Sequence, residues 1–407
     1  MKRYWKLIAI ITVIVLTVGT FYIQSALSAS DYPEVVFEKI SGNADELKPI
    51  TLVGNYHASQ QDMGESVHVT TGGSSYSGEQ SFFERLRGGF YSQDINQLQD
   101  KYRGFMRGKS GNIASYFETD STLAYAKVIN QFIDETGNNM AFDIAVLDKE
   151  NDETTTFTVP VPNRAMYAQV YVEDVQLIDG ELKVLTQNYS KDGGDAKYVY
   201  SFNLSEQDIN GEEKIAVADQ DENTRVHIRI LPSSDIIAAH NYVVYAKTEE
   251  PIVREHANNQ MNSAEKQTSN NKQLYVVYNL KTEKKKVVKL PKTLSGKETV
   301  MYKDTTLYLL GENKVTLYNL KTEAVESQTK LPSQTNSAEQ EAERPTVNIA
   351  NGKIYMLSMP AGMVEGHAPT LTVIDVQSGD VLYEGKLTTK KPLDDGESLY
   401  FSGMQIQ

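Results

Sequence analysis

The chain has no cysteine. That excludes disulfides, thiolate metal sites and a lipid carried on a cysteine. Tryptophan occurs once, as Trp5. Histidine is sparse: His57, His68, His227, His240, His256 and His367. None stands in an H-E-x-x-H or comparable ligand pair. No serine sits in the G-x-S-x-G spacing of a strained nucleophile turn; GSSYSG at 73–78 does not fit it. Beyond residue 30 no amphipathic pattern runs longer than two or three helical turns. Basic residues number 40 against 54 acidic, a net charge of −14. That balance excludes nucleic acid as a partner, because phosphate binding rests on lysine and arginine.

What is present begins with the N-terminus. Lys2, Arg3 and Lys6 precede an uncharged run over 7–23, and Asp31 is the first acidic residue. A basic flank before an apolar run predicts a single-pass membrane anchor over 1–30 with the N-terminus cytoplasmic. The membrane is then one partner. The other reading is a signal peptide cleaved after the small residues near Ala26-Leu27-Ser28, which makes the rest a secreted protein. Both readings export 31–407 as an extracytoplasmic domain. That part is three charges more negative than the whole chain.

The exported part repeats itself. Tyr278-Asn279-Leu280-Lys281-Thr282-Glu283 returns as Tyr318-Asn319-Leu320-Lys321-Thr322-Glu323, and Lys289-Leu290-Pro291 returns as Lys330-Leu331-Pro332. Short apolar strands with a period near 40 predict a radial array, since one such unit cannot bury its own face. Strands are expected over 35–40, 50–57 and 66–71, in four-strand units over 112–162 and 167–217, and over 226–231, 235–239, 242–247, 274–280 and 286–290. Two further units follow over 299–330 and 346–387, then a last strand over 398–406. A short helix is expected over 93–103, with Ile95, Leu98 and Tyr102 on one face.

KVTLYNLKTEAVESQTK (314–330) and LTVIDVQSGDVLYEGKL (371–387) resemble the third and fourth strands of PQQ-type and YVTN-type β-propeller blades. There a strand ends in Asp or Asn before a tight turn and an outer strand. Asn279, Asn319 and Asp375 hold that position, and Asp148 and Asn203 hold it less clearly. Asn351-Gly352 matches the turn of the blade-opening hairpin. The resemblance implies an all-β fold: a β-propeller of about six or seven four-stranded blades, preceded by one N-terminal transmembrane or signal helix. Seven follows if 398–406 pairs with 35–40 in a shared blade, which closes the ring and removes free edges. The outer-strand tryptophan of quinoprotein blades is absent, which counts against quinone binding, and no cofactor is expected.

In such a fold the loops between strands two and three and the connections between blades share one face. The long polar insertions at 251–271, 333–344, 358–369 and 188–196 all fall there, so one face is elaborated. Polar composition also fits insertions that are merely tolerated. The 358–369 loop carries Met359, Met363 and His367. A second candidate is a basic and aromatic segment over 82–109, with Arg85, Arg87, Lys101, Arg103, Arg107 and Lys109 beside several Phe and Tyr. The bland reading makes the aromatics core and pairs the basic groups with neighbouring carboxylates. Residues 219–223 (DQDEN) and 191–195 (KDGGD) offer oxygen ligands for a loosely held calcium, but 219–223 lacks the glycine and closing glutamate of a calcium loop. His57 and His68 can approach across neighbouring strands. The carboxylates are too many for one acid/base pair to stand out.

These features point to a membrane-anchored binding or sensory module, meeting an envelope or membrane protein through the long-loop face. The alternative is an exported propeller enzyme, a hydrolase or lyase on sugar or cell-wall material. Propellers host both kinds of function.

Overall fold

The computed structural model describes residues 10–13, 16–17, 20, 32–59, 64–79, 93–134, 137–218, 224–233, 237–251, 272–311, 313–332, 345–358 and 368–406. Most of the apolar run at 7–23 lies outside them. Its described residues are helical, with Thr17 and Thr20 hydroxyls donating to the carbonyls of Val13 and Leu16. Among the described residues no helix is long and apolar enough to cross a membrane.

The described residues are all-β with six antiparallel sheets, an arrangement consistent with a β-propeller. In chain order the strands are β1 (Val35–Gly42), β2 (Ile50–His57), β3 (Glu65–Thr70) and β4 (Gly73–Tyr76). After helices α1 (Gln93–Lys101) and α2 (Arg103–Met106) come β5 (Tyr116–Glu118), β6 (Thr122–Asp134), β7 (Gly137–Asp148) and β8 (Glu153–Pro160). The third sheet is β9 (Tyr167–Ile178), β10 (Glu181–Ser190), β11 (Asp195–Asn203) and β12 (Asp208–Ala218). The fourth is β13 (Thr224–Ile230), β14 (Tyr242–Pro251), β15 (Lys272–Asn279) and β16 (Lys284–Val288). The fifth is β17 (Glu298–Lys303), β18 (Thr306–Leu310), β19 (Lys314–Asn319) and β20 (Ala324–Lys330). The last strands are β21 (Thr346–Ala350), β22 (Lys353–Ser358), β23 (Thr370–Asp375), β24 (Val381–Thr389) and β25 (Ser398–Ile406).

The chain divides into two compact units. One is Met1–Gln93 with Leu331–Gln407. In it β25 pairs with β2, ahead of β3 and β4, while β1 pairs with β24 as a fifth strand of the last sheet. The two chain ends are therefore exchanged between two sheets. The expected pairing of 398–406 with 35–40 does not form. Pairing β1 with β24 covers the outer edge of the last sheet, and β25 supplies the strand that β2 lacks on its other side.

The other unit is Asp94–Lys330. Its four sheets share three apolar clusters, between the second and third, third and fourth, and fourth and fifth. Tyrosine serves this packing better than phenylalanine because its hydroxyl reaches the next sheet. Tyr245 donates to the Ile215 carbonyl, Tyr302 to the Tyr242 carbonyl, and Tyr275 meets Thr299 at 2.6 Å. Burial pushes the Tyr245 and Tyr275 hydroxyls up from their ordinary range. The helix expected over 93–103 is α1, with Ile95 and Leu98 buried.

The Asp and Asn positions that end third strands work as side-chain caps. Asn279 accepts from the N–H groups of Lys281 and Thr282, and Asn319 from those of Lys321 and Thr322. Asp375, Asn203 and Asp148 do the same two and three residues on. Each turn closes through a left-handed residue: Glu283, Glu323, Gly379, Gln207 or Asp152. The repeat at 278 and 318 slips by one residue before its Lys-Leu-Pro. A bulge explains the slip: Tyr318 pairs with Val325 but Leu317 pairs with Ser327, so Glu326 is the extra residue.

The strand expected over 235–239 lies partly outside the described residues; its described part, 237–239, is not in a strand, and β13 holds the first place of the fourth sheet. The linking residues 231–233 and 237–241, between β13 and β14, instead reach three other sheets. Glu118 N–H donates to the Ile237 carbonyl, Tyr302 N–H to the Pro232 carbonyl, and His240 N–H to the Gln176 side chain.

Candidate functional site

Strands of this fold alternate their side chains, so a buried polar group needs a reason. Among the described residues, every buried charged group (Asp174, Lys183, Lys197) and every buried amide (Gln176, Gln187, Asn188) lies in the third sheet. The other sheets bury only hydroxyls.

These groups divide by what they hold. Lys183 donates to Ser201 and to Glu283, a residue of the fourth sheet, each within 2.9 Å. Asp174 meets His240 at 2.9 Å, and the Gln176 amide donates to Asp174 and to the Ala238 carbonyl. Both ring nitrogens of His240 face acceptors, Asp174 on one side and the Ala238 carbonyl on the other. Both nitrogens are thus engaged within the protein. Both sets tie the third sheet to segments of the fourth.

Among the described residues the remaining group ties to nothing beyond its own sheet. Lys197 on β11 donates to both oxygens of Glu173 on β9, at 2.5 and 2.6 Å. Gln187 on β10 donates to Asp195 at 2.6 Å. Tyr171 and Tyr189, about half exposed at 50% and 43%, meet edge to face beside them with centroids 6.0 Å apart. Tyr171 also donates to Gln169.

The backbone explains how these side chains converge. Tyr171 pairs with Gln187, and Gln187 pairs with Lys197, so the three share a face. Leu185 pairs with Asp174 but Thr186 pairs with Val172, which leaves Glu173 as a bulge residue. In a regular strand Glu173 and Asp174 would face opposite ways; the bulge lets Asp174 share the face that Glu173, two residues after Tyr171, turns toward Lys197. Burial pushes the Glu173 carboxyl up and the Lys197 ammonium down, against their mutual attraction. Burial, Asp195, Glu173 and Tyr171 together raise Tyr189. Adjacent carboxylates thus sit in different environments, Glu173 against a buried amine and Asp174 against an imidazole. Nothing in the spacing of Glu173, Lys197 and Asp195 marks them in the sequence, and the bulge has no local signal.

The residues singled out from sequence fare differently. Arg85 and Arg87 lie outside the described residues. Lys101 pairs with Glu118, and Arg103 with Asp100, each at 3.5 Å. Lys109 lies 4.2 Å from the Phe105 centroid and donates to the Phe105 carbonyl, while Arg107 is exposed. Met359, Met363 and His367 lie outside the described residues, as do 219–223, 252–271 and 333–344. Asp195, from the candidate calcium turn at 191–195, bonds to Gln187. Among the described residues no group of three or more His, Asp or Glu is arranged to hold a metal ion. His57 pairs with Ser398, and His68 pairs with Val53, so the two are not cross-strand partners.

No family model matches the chain, and no curated protein does. Similar solved structures include a mutant apocarotenoid oxygenase from Synechocystis, at 8% identity and a TM-score of 0.33, covering 69% of this chain and 61% of that one. The chain thus spans less than two thirds of that oxygenase. The polysaccharide lyase Uly1 is 9% identical over 78% of this chain and 70% of that one, with a TM-score of 0.35. The β-propeller domain of the Trilobed protease from Pyrococcus furiosus is 9% identical over 89% and 99%, with a TM-score of 0.22.

Proposed function

We propose that this chain is an exported propeller that binds and cleaves a saccharide at the third sheet. The observation that carries the reading is a largely buried polar cluster that, among the described residues, links no two sheets and lies against a half-exposed tyrosine pair. A structural pair offsets its desolvation by joining elements, as Lys183 and Asp174 do. Among the described residues Glu173, Lys197, Gln187 and Asp195 join strands of one sheet and no two sheets. Tyrosine faces pack on the apolar faces of sugar rings, and amides and carboxylates read hydroxyls.

In this reading Glu173 is the general acid, because burial pushes its carboxyl up toward the uncharged form. It gives that proton to the glycosidic oxygen as the bond to the anomeric carbon breaks. Water adds at that carbon and passes its proton to Asp195. Glu173 must leave Lys197 to do so. That demand favours the second reading, a membrane-anchored module that binds a protein partner without turnover.

The test is binding and reducing-end release with cell-wall and storage oligosaccharides on the full chain. Tyr171→Ala or Tyr189→Ala should weaken binding about tenfold, roughly 1.4 kcal/mol. Glu173→Gln should keep binding and abolish release. Binding without release by the wild type would leave a lectin-like module. No saccharide bound, with a protein crosslinked instead and lost when 252–271 and 333–344 are shortened, would replace the saccharide reading with the partner-binding one.

A further inference from the structure

The outer strand of the fourth sheet differs in charge from every other outer strand. β16 carries Lys284, Lys285 and Lys286, and Lys289 and Lys292 follow it. None of the strands β1, β4, β8, β12 and β20, which end the other sheets, has more than one lysine. A lysine on an edge strand is an ordinary device against pairing with another chain. The internal repeat tests whether that device is enough.

The hexapeptide before β16 is identical to the one before β20, and both outer strands leave it through the same capped turn. Taking the bulge at Glu326 into account, Val288 corresponds to Thr329 and Leu290 to Leu331. All four are buried. The inward positions are thus kept in kind. The outward ones are not: Lys284, Lys285, Lys286 and Val287 stand where β20 has Ala324, Val325, Ser327 and Gln328. β20 is an edge of the same geometry and manages with Glu326 and Lys330. The lysines of β16 exceed what the fold or edge protection requires.

Lys286 is neutralised by Glu323, at 2.7 Å, and Lys281 by Asp179. Among the described residues Lys284, Lys285, Lys289 and Lys292 are exposed and make no ion pair. Val287, 58% exposed, stands among them. Four unneutralised cations along one edge of an acidic protein attract a polyanionic surface. The apolar side chain between them chooses which one. A hydrated polyanion offers valine nothing, whereas the interface of a bilayer takes up cations and apolar groups together.

We propose that this edge docks the protein on an anionic lipid bilayer, with Lys284, Lys285, Lys289 and Lys292 on headgroup phosphates and Val287 between them. The interaction is independent of the third-sheet site. Near such a surface each lysine is worth roughly a fivefold change in partition, and salt weakens it.

The experiment is lysine-resolved acetylation of the full chain, read by mass spectrometry. One sample holds vesicles of phosphatidylcholine; the other holds vesicles of phosphatidylcholine with phosphatidylglycerol. The per-lysine readout does not depend on how the rest of the chain meets the vesicle. Acetylation at the four lysines should fall several-fold on the anionic vesicles and recover in high salt, while Lys330, the counterpart of Lys289, stays unchanged. Equal labelling on both vesicles overturns the proposal. Protection by soluble poly(glycerol phosphate), with none from the anionic lipid, overturns it in favour of a wall polymer.

Discussion

The third and fifth sheets have the same four-strand plan and opposite interiors. The fifth buries Thr299, Thr316 and Thr329 as its polar side chains. The third buries two lysines, an aspartate, three amides and two hydroxyls. Both are hydrogen-bonded ladders packed on apolar neighbours, so the plan does not require charges inside. An apolar replacement for a buried ion pair is often as stable or more so. The difference therefore marks where the molecule carries something other than stability. It also separates two uses of buried charge, since Lys183 and Asp174 fasten the third sheet to the fourth, while Glu173 with Lys197 stays, among the described residues, within the third sheet.

Breaking the pair from one side gives the largest expected effect. Lys197→Met leaves Glu173 largely buried without its cation and should cost about 3–5 kcal/mol of stability. Adding Glu173→Leu to it should restore most of that loss, because the double variant leaves no unpaired charge at this site. Denaturant titration of the two variants beside the wild type decides it. If the double variant is as unstable as the single one, the pair is structural after all, and the third sheet is no different in kind from the fifth.

The next effect is one of pH. Burial raises Glu173 above its ordinary 4.5. Between 4.5 and the raised value the folded state holds more protons than the unfolded, so stability falls as pH rises through that window. Burial lowers Lys197 below its ordinary 10.5. There the folded state holds fewer protons, and stability recovers as pH rises toward 10.5. The stability of the wild type minus that of a Glu173→Gln/Lys197→Met variant should thus trace a trough between the two limits, with slopes of at most about 1.4 kcal/mol per pH unit. The fifth sheet buries no carboxylate or ammonium among its described residues and has no such trough to offer. A flat difference curve would erase the contrast.

The sequence shows the fifth sheet far better than the third. Its strands are short and apolar, its third strand ends in Asn319 at the capping position, and its hexapeptide repeats that of the fourth sheet. Those signals are local, and local signals survive in a linear text. The polar cluster of the third sheet depends on a bulge at Glu173 and on pairing across β9, β10 and β11, which place residues 173, 187, 195 and 197 together. Neither is written in any short stretch. The expectation at 235–239 meets a related limit. Ile236-Ile237-Ala238-Ala239 reads as a strand, but the described residues 237–239 are not in one, and β13 fills the first position of the sheet. The link between β13 and β14 is drawn instead onto Glu118, Gln176 and Tyr302 in three other sheets. The exchange of β1 and β25 between the first and last sheets is likewise a choice among equivalent edges, which periodicity cannot make.

The smallest effect lies in the plain sheet and has the opposite sign. Thr316 on β19 is fully buried, and its hydroxyl has no hydrogen-bond partner. Its cross-strand neighbours are Leu309 and Gln328. A hydroxyl taken from water without a partner costs free energy that a methyl of similar size does not. Thr316→Val should therefore leave stability unchanged or raise it by about 1 kcal/mol, read as a small upward shift in the unfolding midpoint. In the third sheet the corresponding removal of a polar group, Gln187→Leu, strips Asp195 of its donor and should lower stability by about 1–3 kcal/mol. A loss of that size at Thr316 as well would mean that the fifth sheet hides a polar requirement of its own. The contrast between the two interiors would then be one of degree.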